Sequence, residues 1–425
     1  MKFTNGFWLN KEGYNVTSPV EVDDIRHQGA ETYTFYLPHK HITDRGDTLN
    51  GRLTTLVVES PLPDTFHLRY SHFEGGLQKG PKFDIADTSL VAMGVEETET
   101  EIRLTSGKTT LQMDKKYFST TFTYEGRYLT GSPHKALANI EETLGASFIR
   151  NQKYSIPRDV YIREQLTLMP GEKVYGLGER FTPFVKNGQV VEMWNEDGGT
   201  CSEIAYKNIP FYVTNQGYGV FVNHPEDVSF EVASEVVSRV QFSVKGESLD
   251  YYIFGGADLK EVLGNYTTLT GKPAMPPSWS FGLWLTTSFT TSYDESTINH
   301  FVDGMAERDL PLHVFHFDCF WMKKYQWCDF EWDREQFEDP EGLIRRLKAK
   351  GLKICVWINP YIAQKSALFK EAADAGYLIK SLDGGVWQTD LWQAGMGIVD
   401  FTNPDACTWY QSKLSGLIDM GVDCF

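Results

Sequence analysis

The chain has 425 residues, of which 41% are hydrophobic and 14% aromatic, enough to build the cores of two or three domains. A formal net charge of -17 argues against nucleic acid or an anionic membrane surface as a partner. No apolar run approaches the length of a bilayer span, and residues 1–14 carry no signal-type apolar core. The six cysteines (Cys201, Cys319, Cys328, Cys355, Cys407 and Cys424) lack paired short spacings. They read as free thiols in a reducing compartment, which places the chain in the cytoplasm.

From the N-terminus to about residue 256 the pattern is β-rich. Residues 54–58, 240–244 and 251–254 read as strands, and residues 103–128 as a meander turning at Ser106-Gly107 and Glu125-Gly126. Many short strands separated by Gly, Pro and Asp predict a β-sandwich over 1–256. Within it, Val174-Tyr-Gly-Leu-Gly-Glu-Arg-Phe181 is Gly-spaced but lacks the third Gly and the βαβ setting of a dinucleotide site. Trp194-Asn-Glu-Asp-Gly-Gly199 reads as an exposed polar loop. A helix follows, capped by Asp258, with Leu259, Val262, Leu263 and Tyr266 at helical spacing and Gly271 at its end. With Pro273, Pro276 and Pro277 it forms a connector over 257–277.

After the connector the pattern changes. Residues 279–285 read as a strand, followed by a helix with Ser292-x-x-Glu295 as a capping box and Ile298, Phe301, Val302 and Met305 on one face. Residues 314–317 form a strand that runs into Asp318. Asp339-Pro340 opens a helix that Gly351 closes, before a strand over 352–358. Asn403-Pro404 and Gly421 repeat that helix, and a strand begins at Val422. Between the copies lies an insertion near 361–396, a helix over 366–375 and a hairpin at Asp383-Gly384. This alternation means parallel βα units. A closed eightfold barrel needs about 250 residues, and about 150 remain after Pro277, so residues 278–425 are expected to be its first half.

Ligands of a parallel α/β fold sit on the loops that follow its strands. Here those loops hold Phe289, then Asp318, Cys319 and Phe320, then Trp357 and Asn359, with Trp392 in the insertion. A carboxylate among aromatics costs free energy unless something binds it, although Asp318 could also simply cap the next segment. Aromatic walls with a few carboxylates suit a sugar, whose ring faces stack while its hydroxyls need fixed acceptors. Core packing is the competing reading of Trp357. His313 and His316 point to opposite faces of their strand, so no metal and no cofactor is expected. Cys319 has no basic neighbour to activate it as a nucleophile.

The chain resembles glycoside hydrolase family 31, and most closely its bacterial α-xylosidases. The likeness is carried by the stretches 174–181 and 194–199 already quoted and by Ala205-Tyr-Lys-Asn-Ile-Pro-Phe211. It extends through Phe281-Gly-Leu-Trp-Leu-Thr-Thr287, His316-Phe-Asp-Cys-Phe-Trp321 and Val356-Trp-Ile-Asn-Pro360. The resemblance implies a galactose-mutarotase-like sandwich, a catalytic (β/α)8 barrel and retaining hydrolysis of α-linked xylosides. By the same resemblance Asp318 grips hydroxyls of the sugar being cleaved, Trp357 lines its subsite, and Asp197 is a sandwich-loop carboxylate reaching the barrel mouth. Phe289, Cys319 and Phe320 match the bulk that fills the place of glucose's hydroxymethyl group, and Trp392 walls the leaving sugar. The implied partner is a small oligosaccharide, and the resemblance allows a homo-oligomeric full-length protein without fixing its oligomeric state.

Retaining hydrolysis needs two carboxylates about 5 Å apart. In the family both are Asp, and they are expected beyond Phe425, because Asp423 falls inside a strand rather than after it. The chain therefore looks truncated, with the binding residues present and the catalytic pair absent. The alternatives are an α-glucosidase of the same family and a non-catalytic carbohydrate-binding fragment. Residues 1–425 alone are expected to release no xylose from an aryl α-xyloside. Robust turnover would show the catalytic pair to be misassigned, and tight sugar binding without turnover would favour the binding fragment.

Overall fold

The computed structural model describes residues 1–6, 8–75, 82–143, 159–196, 202–287, 294–391 and 393–425. Two compact units make up the chain, Met1–Pro273 and Ala274–Phe425. Among the described residues no helix is long and apolar enough to cross a membrane.

The first unit is built from antiparallel sheets of five, six and eight strands, with a small two-stranded sheet beside them. Period-two alternation decides which side chains go inward. Along Thr32–Pro38 it buries Tyr33, Phe35 and Leu37, and along Glu101–Ser106 it buries Ile102 and Leu104. These side chains join Leu56, Leu68, Phe122, Phe230, Phe242 and Ile253 in one core drawn from all three larger sheets. The expected meander is present, and its strands Ser119–Tyr124 and Arg127–Ser132 turn through Glu125 and Gly126, at φ +48° and +78°. Two successive positive φ values match the right-handed strand twist. The helix Leu259–Thr270 starts at Asp258, whose side chain accepts from the Lys260 and Glu261 amides. Val262 and Leu269 are its buried contacts, whereas Leu259 and Leu263 face solvent.

One carboxylate of the first unit is, like Glu231, fully enclosed. Glu164 is fully buried and accepts from Ser132 Oγ at 2.6 Å, the Gln165 amide at 2.8 Å and Tyr251 OH at 3.2 Å. Burial pushes its carboxyl up to about 7, outweighing those hydrogen bonds and the charge of Arg163.

In the second unit the strands Trp284–Leu285, Val314–Phe317 and Lys353–Val356 form a parallel sheet in that order. A parallel bridge from Cys355 to Cys424 continues the progression. The helices Glu295–Glu307, Pro340–Ala349 and Pro404–Asp419 fall between the strands. Phe315, Phe317, Ile354 and Val356 pack with Ile298, Val302, Leu343, Ile344, Leu347 and Leu417 in its core. The insertion is a three-stranded antiparallel sheet, ordered Tyr361–Ala363, Met396–Ile398, Gln388–Thr389, with the helix Ala367–Ala375 between its first and second strands in sequence.

Three local expectations are corrected. Residues 279–285, expected as one strand, divide into a 3-10 turn Ser278–Phe281 and the short strand Trp284–Leu285. The turn is closed by the Gly282 amide on the Trp279 carbonyl and by Trp284 Nε1 on the Ser280 carbonyl at 3.0 Å. The cap of Glu295–Glu307 is Asp294, accepting from the Thr297 amide at 2.7 Å, and Ser292 lies outside the described residues. The strand expected over 352–358 ends at Val356, because Asn359-Pro360 bends the chain away.

A carboxyl whose pKa is raised on folding gives stability that is present below its unfolded value and is lost as pH rises through the folded one. For Glu164 the window runs from about 4.5 to about 7. Glu164→Gln should therefore raise the melting temperature at pH 8, by an effect on the order of 3 kcal/mol, and raise it much less at pH 5. Equal shifts at both pH values in calorimetry would contradict this.

Candidate functional site

Parallel register builds the site. Phe317 pairs with Val356, so the next residues of the two strands, Asp318 and Trp357, leave the sheet at the same level. The Trp357 amide donates to the Phe317 carbonyl at 2.7 Å and holds that level. Phe317 and Val356 belong to the helix-side core, and alternation gives His316 and Cys355, which also pair, to the opposite face.

Asp318 is half-buried and caps the turn Cys319–Trp321, its Oδ1 accepting from the Cys319 amide at 2.7 Å. The capping reading of this carboxylate is thus correct as geometry. It does not compete with ligand binding, because an ionised carboxylate offers about four lone-pair sites. The turn buries Cys319 and Trp321 and leaves Phe320 36% exposed, its ring centroid 5.8 Å from that of Trp327. Trp321 Nε1 donates to the Trp357 carbonyl at 2.9 Å. Of the residues singled out from sequence, the structure brings together Asp318, Cys319, Phe320 and Trp357. Asp197, Phe289 and Trp392 lie outside the described residues.

Residues 273–425 match the glycosyl hydrolases family 31 TIM-barrel domain. Residues 55–231 match the glycosyl hydrolase 31 N-terminal galactose mutarotase-like domain. The chain belongs to glycoside hydrolase family 31. It is 52% identical over 426 residues to alpha-xylosidase XylQ of Lactiplantibacillus pentosus, covering 100% of this chain and 54% of that protein. To an alpha-xylosidase of Emericella nidulans it is 47% identical, covering 100% of this chain and 55% of that one. Among solved structures it is similar in fold to a Flavobacterium johnsoniae GH31 dextranase complexed with glucose. The TM-score is 0.77 at 22% identity, over 95% of this chain and 47% of that chain. The chain thus spans about half the length of these relatives.

The electrostatics of this family 31 chain separate the groups at the site. Burial, the charge of Asp318 and a hydrogen bond to it push the Cys319 thiol up to about 12. Burial lowers the His316 pKa, against the pull of Asp318. Asp423 is fixed elsewhere. Burial raises its pKa, but bonds from the Ile354 amide (2.9 Å), Lys353 and Lys348 (3.2 Å each) hold it below the ordinary carboxylate value.

Sequence reasoning did not single out Trp321 or Cys328 for the contacts they make, the Trp321 indole with the Trp357 carbonyl and the Cys328 thiol with Asn359. Trp321 was legible only as another aromatic in a crowded run. Cys328 adopts φ +57°, which nothing in its neighbours announces. A raised thiol pKa means little thiolate at neutral pH. Iodoacetamide at pH 8 should therefore label half-buried Cys407 well before Cys319 or Cys328. Peptide mass spectrometry checks the order, and early labelling of Cys319 would show it to be an activated thiol.

Proposed function

We propose that this chain is part of a retaining α-xylosidase and that Asp318, Trp357, Cys319 and Phe320 hold the xylose being released. Asp318 accepts hydrogen bonds from the sugar's hydroxyls, charge-assisted and therefore strong. Trp357 offers an apolar wall for the ring. Cys319 and Phe320 occupy the space that glucose's hydroxymethyl group would need, so a pentose fits and a hexose is repelled. The observation that carries this reading is the 52% identity to an alpha-xylosidase along the whole chain. The adjacency of Asp318 and Trp357 at the strand exits supports it.

In this reading Phe289 adds bulk to the same subsite, Asp197 contributes a second carboxylate at the mouth, and Trp392 flanks the leaving sugar. None of these groups attacks or protonates the glycosidic bond. Retention requires a nucleophilic carboxylate and an acid/base partner about 5 Å apart, and Asp318 is assigned to binding. Asp423 is tied to two lysines and an amide, which suits a structural role. The free thiols support a cytoplasmic setting.

The test is steady-state kinetics of the intact enzyme on aryl α-xyloside and aryl α-glucoside. Asp318→Asn should lower kcat/KM for the xyloside at least about 30-fold, as loss of a charged hydrogen-bond acceptor does. Phe320→Ala should narrow the preference for xyloside over glucoside about tenfold, the scale of a group this size in an apolar pocket. A wild-type preference for the glucoside would replace this reading with the α-glucosidase one.

A further inference from the structure

The segment that carries Trp357 is fastened to the loop following Asp318 at more points than a simple chain crossing needs. Besides the Trp321 bond to the Trp357 carbonyl, the Ala363 amide donates to the Trp327 carbonyl at 3.2 Å. Cys328 meets Asn359 twice. Its Sγ donates to Asn359 Oδ1 at 3.0 Å, and the Asn359 amide donates back to Sγ at 3.4 Å. Tyr410 OH donates to the Asn359 carbonyl at 2.9 Å. Asn359 Oδ1 also accepts from the Tyr361 amide at 3.0 Å, an Asx turn that swings the chain out of the strand.

Cys328 adopts a conformation that its residue type disfavours. Its φ of +57° lies in the left-handed region, and two neighbours share the strain, Tyr325 at +62° and Phe330 at +59°. Left-handed backbone is costly for residues other than Gly, Asn and Asp, and persists where surrounding structure over-determines it. The Cys328 side chain is fully buried, and burial first of all pushes its thiol up to about 12, so the sulfur keeps its proton and can donate. A packing residue would need no directional partners. This one has two, both on the residue that turns the chain just after Trp357.

We infer that Cys328 is a positioning residue whose thiol, clamped on Asn359, fixes the Trp357 wall relative to the Phe320 loop and thereby sets selectivity for the smaller sugar. The selectivity part rests on the pocket proposed above; the positioning part stands on the contacts alone. Cys328 touches no substrate and acts through Asn359. Tyr410 braces the same residue from the helix Pro404–Asp419, its ring 5.4 Å from Phe330 and 5.2 Å from Phe401.

The variants are chosen to separate positioning from packing. Cys328→Gly relieves the backbone strain while removing the thiol, Cys328→Ala removes only the thiol, and Cys328→Ser restores a donor and acceptor of similar size. Tyr410→Phe removes one hydroxyl and keeps the ring. In the intact protein without sugar, hydrogen exchange of peptides spanning residues 357–363 should speed up at least tenfold in the Gly and Ala variants. It should speed up about threefold in Tyr410→Phe and stay within threefold of wild type in the Ser variant. Peptides from the strand Lys353–Val356 and the helix Pro340–Ala349 should be unchanged. The xyloside preference should fall at least fivefold in the Gly and Ala variants, through KM more than kcat, and recover with Ser. Unchanged exchange at 357–363, or equal acceleration across the second unit, overturns the positioning role. Local acceleration with an intact sugar preference overturns the selectivity role. A wild type lacking any xyloside preference sinks the pocket reading, and the exchange data still decide the positioning one.

Discussion

The hydrogen bond from the Trp357 amide to the Phe317 carbonyl, 2.7 Å long, is the constraint on which the site depends. It is the last bond between the strands Val314–Phe317 and Lys353–Val356, and it fixes where both chains leave the sheet. Side chains alternate with period two, so a slip of one residue would exchange every inward group for an outward one. Phe317 and Val356 would leave the helix-side core, and Asp318 and Trp357 would no longer exit side by side. The register is held by burial of Phe315, Phe317, Ile354 and Val356 against the helices. At about 1.5–3 kcal/mol for each large apolar side chain fully buried, the core outweighs any single polar contact at the rim. The apolar core thus sets the register, and the register sets the position of the polar groups.

Two carboxylates in the second unit show how local bonding divides roles. Asp423 accepts from a backbone amide and two lysines, and those partners favour its ionised form strongly enough to offset its burial. Asp318 has the Cys319 amide bond on one oxygen and stands where the parallel strands end. A carboxylate saturated by lysines has little left to offer a neutral sugar. A carboxylate offers about four lone-pair sites, so one that caps a turn at the strand exits can still accept from a ligand.

The sequence made much of this legible, and the exceptions share a cause. Asp258, Asp339-Pro340 and Asn403-Pro404 read correctly as helix starts, because a cap is a local matter of one side chain and nearby amides. The strand ending at Asp318 was legible because an apolar, β-prone run stops abruptly at a charge. Residues 279–285 misled because Trp, Phe and Leu suit strands, while Gly282 and two prolines favour a turn that propensity alone does not weigh. Asp294 and Ser292 are both good caps, and only the helix's actual start chooses between them. The left-handed backbone at Cys328 and its pairing with Asn359 across 31 residues were beyond reach. Neither residue type signals it, and the contact exists only once both loops are folded.

A pocket that separates two sugars by one hydroxymethyl group gains little from attraction, because both sugars present the same ring hydroxyls to the same carboxylate. Discrimination must come from repulsion, and repulsion works only if the wall cannot retreat. One methylene's worth of misfit is worth about 1–3 kcal/mol, and a loop that shifts by a few tenths of an ångström can give most of that back. In the proposed pocket Phe320, 36% exposed and on a three-residue turn, would be a poor wall by itself. It becomes a firm one when Trp321 is fully buried behind it, with its indole bonded to the Trp357 backbone, and when Trp327 packs against its ring. The bonds around Cys328, Asn359 and Tyr410 extend that support to the turn after Trp357. Three left-handed residues within six positions, Tyr325, Cys328 and Phe330, mark the same loop as one whose backbone the surrounding structure over-determines.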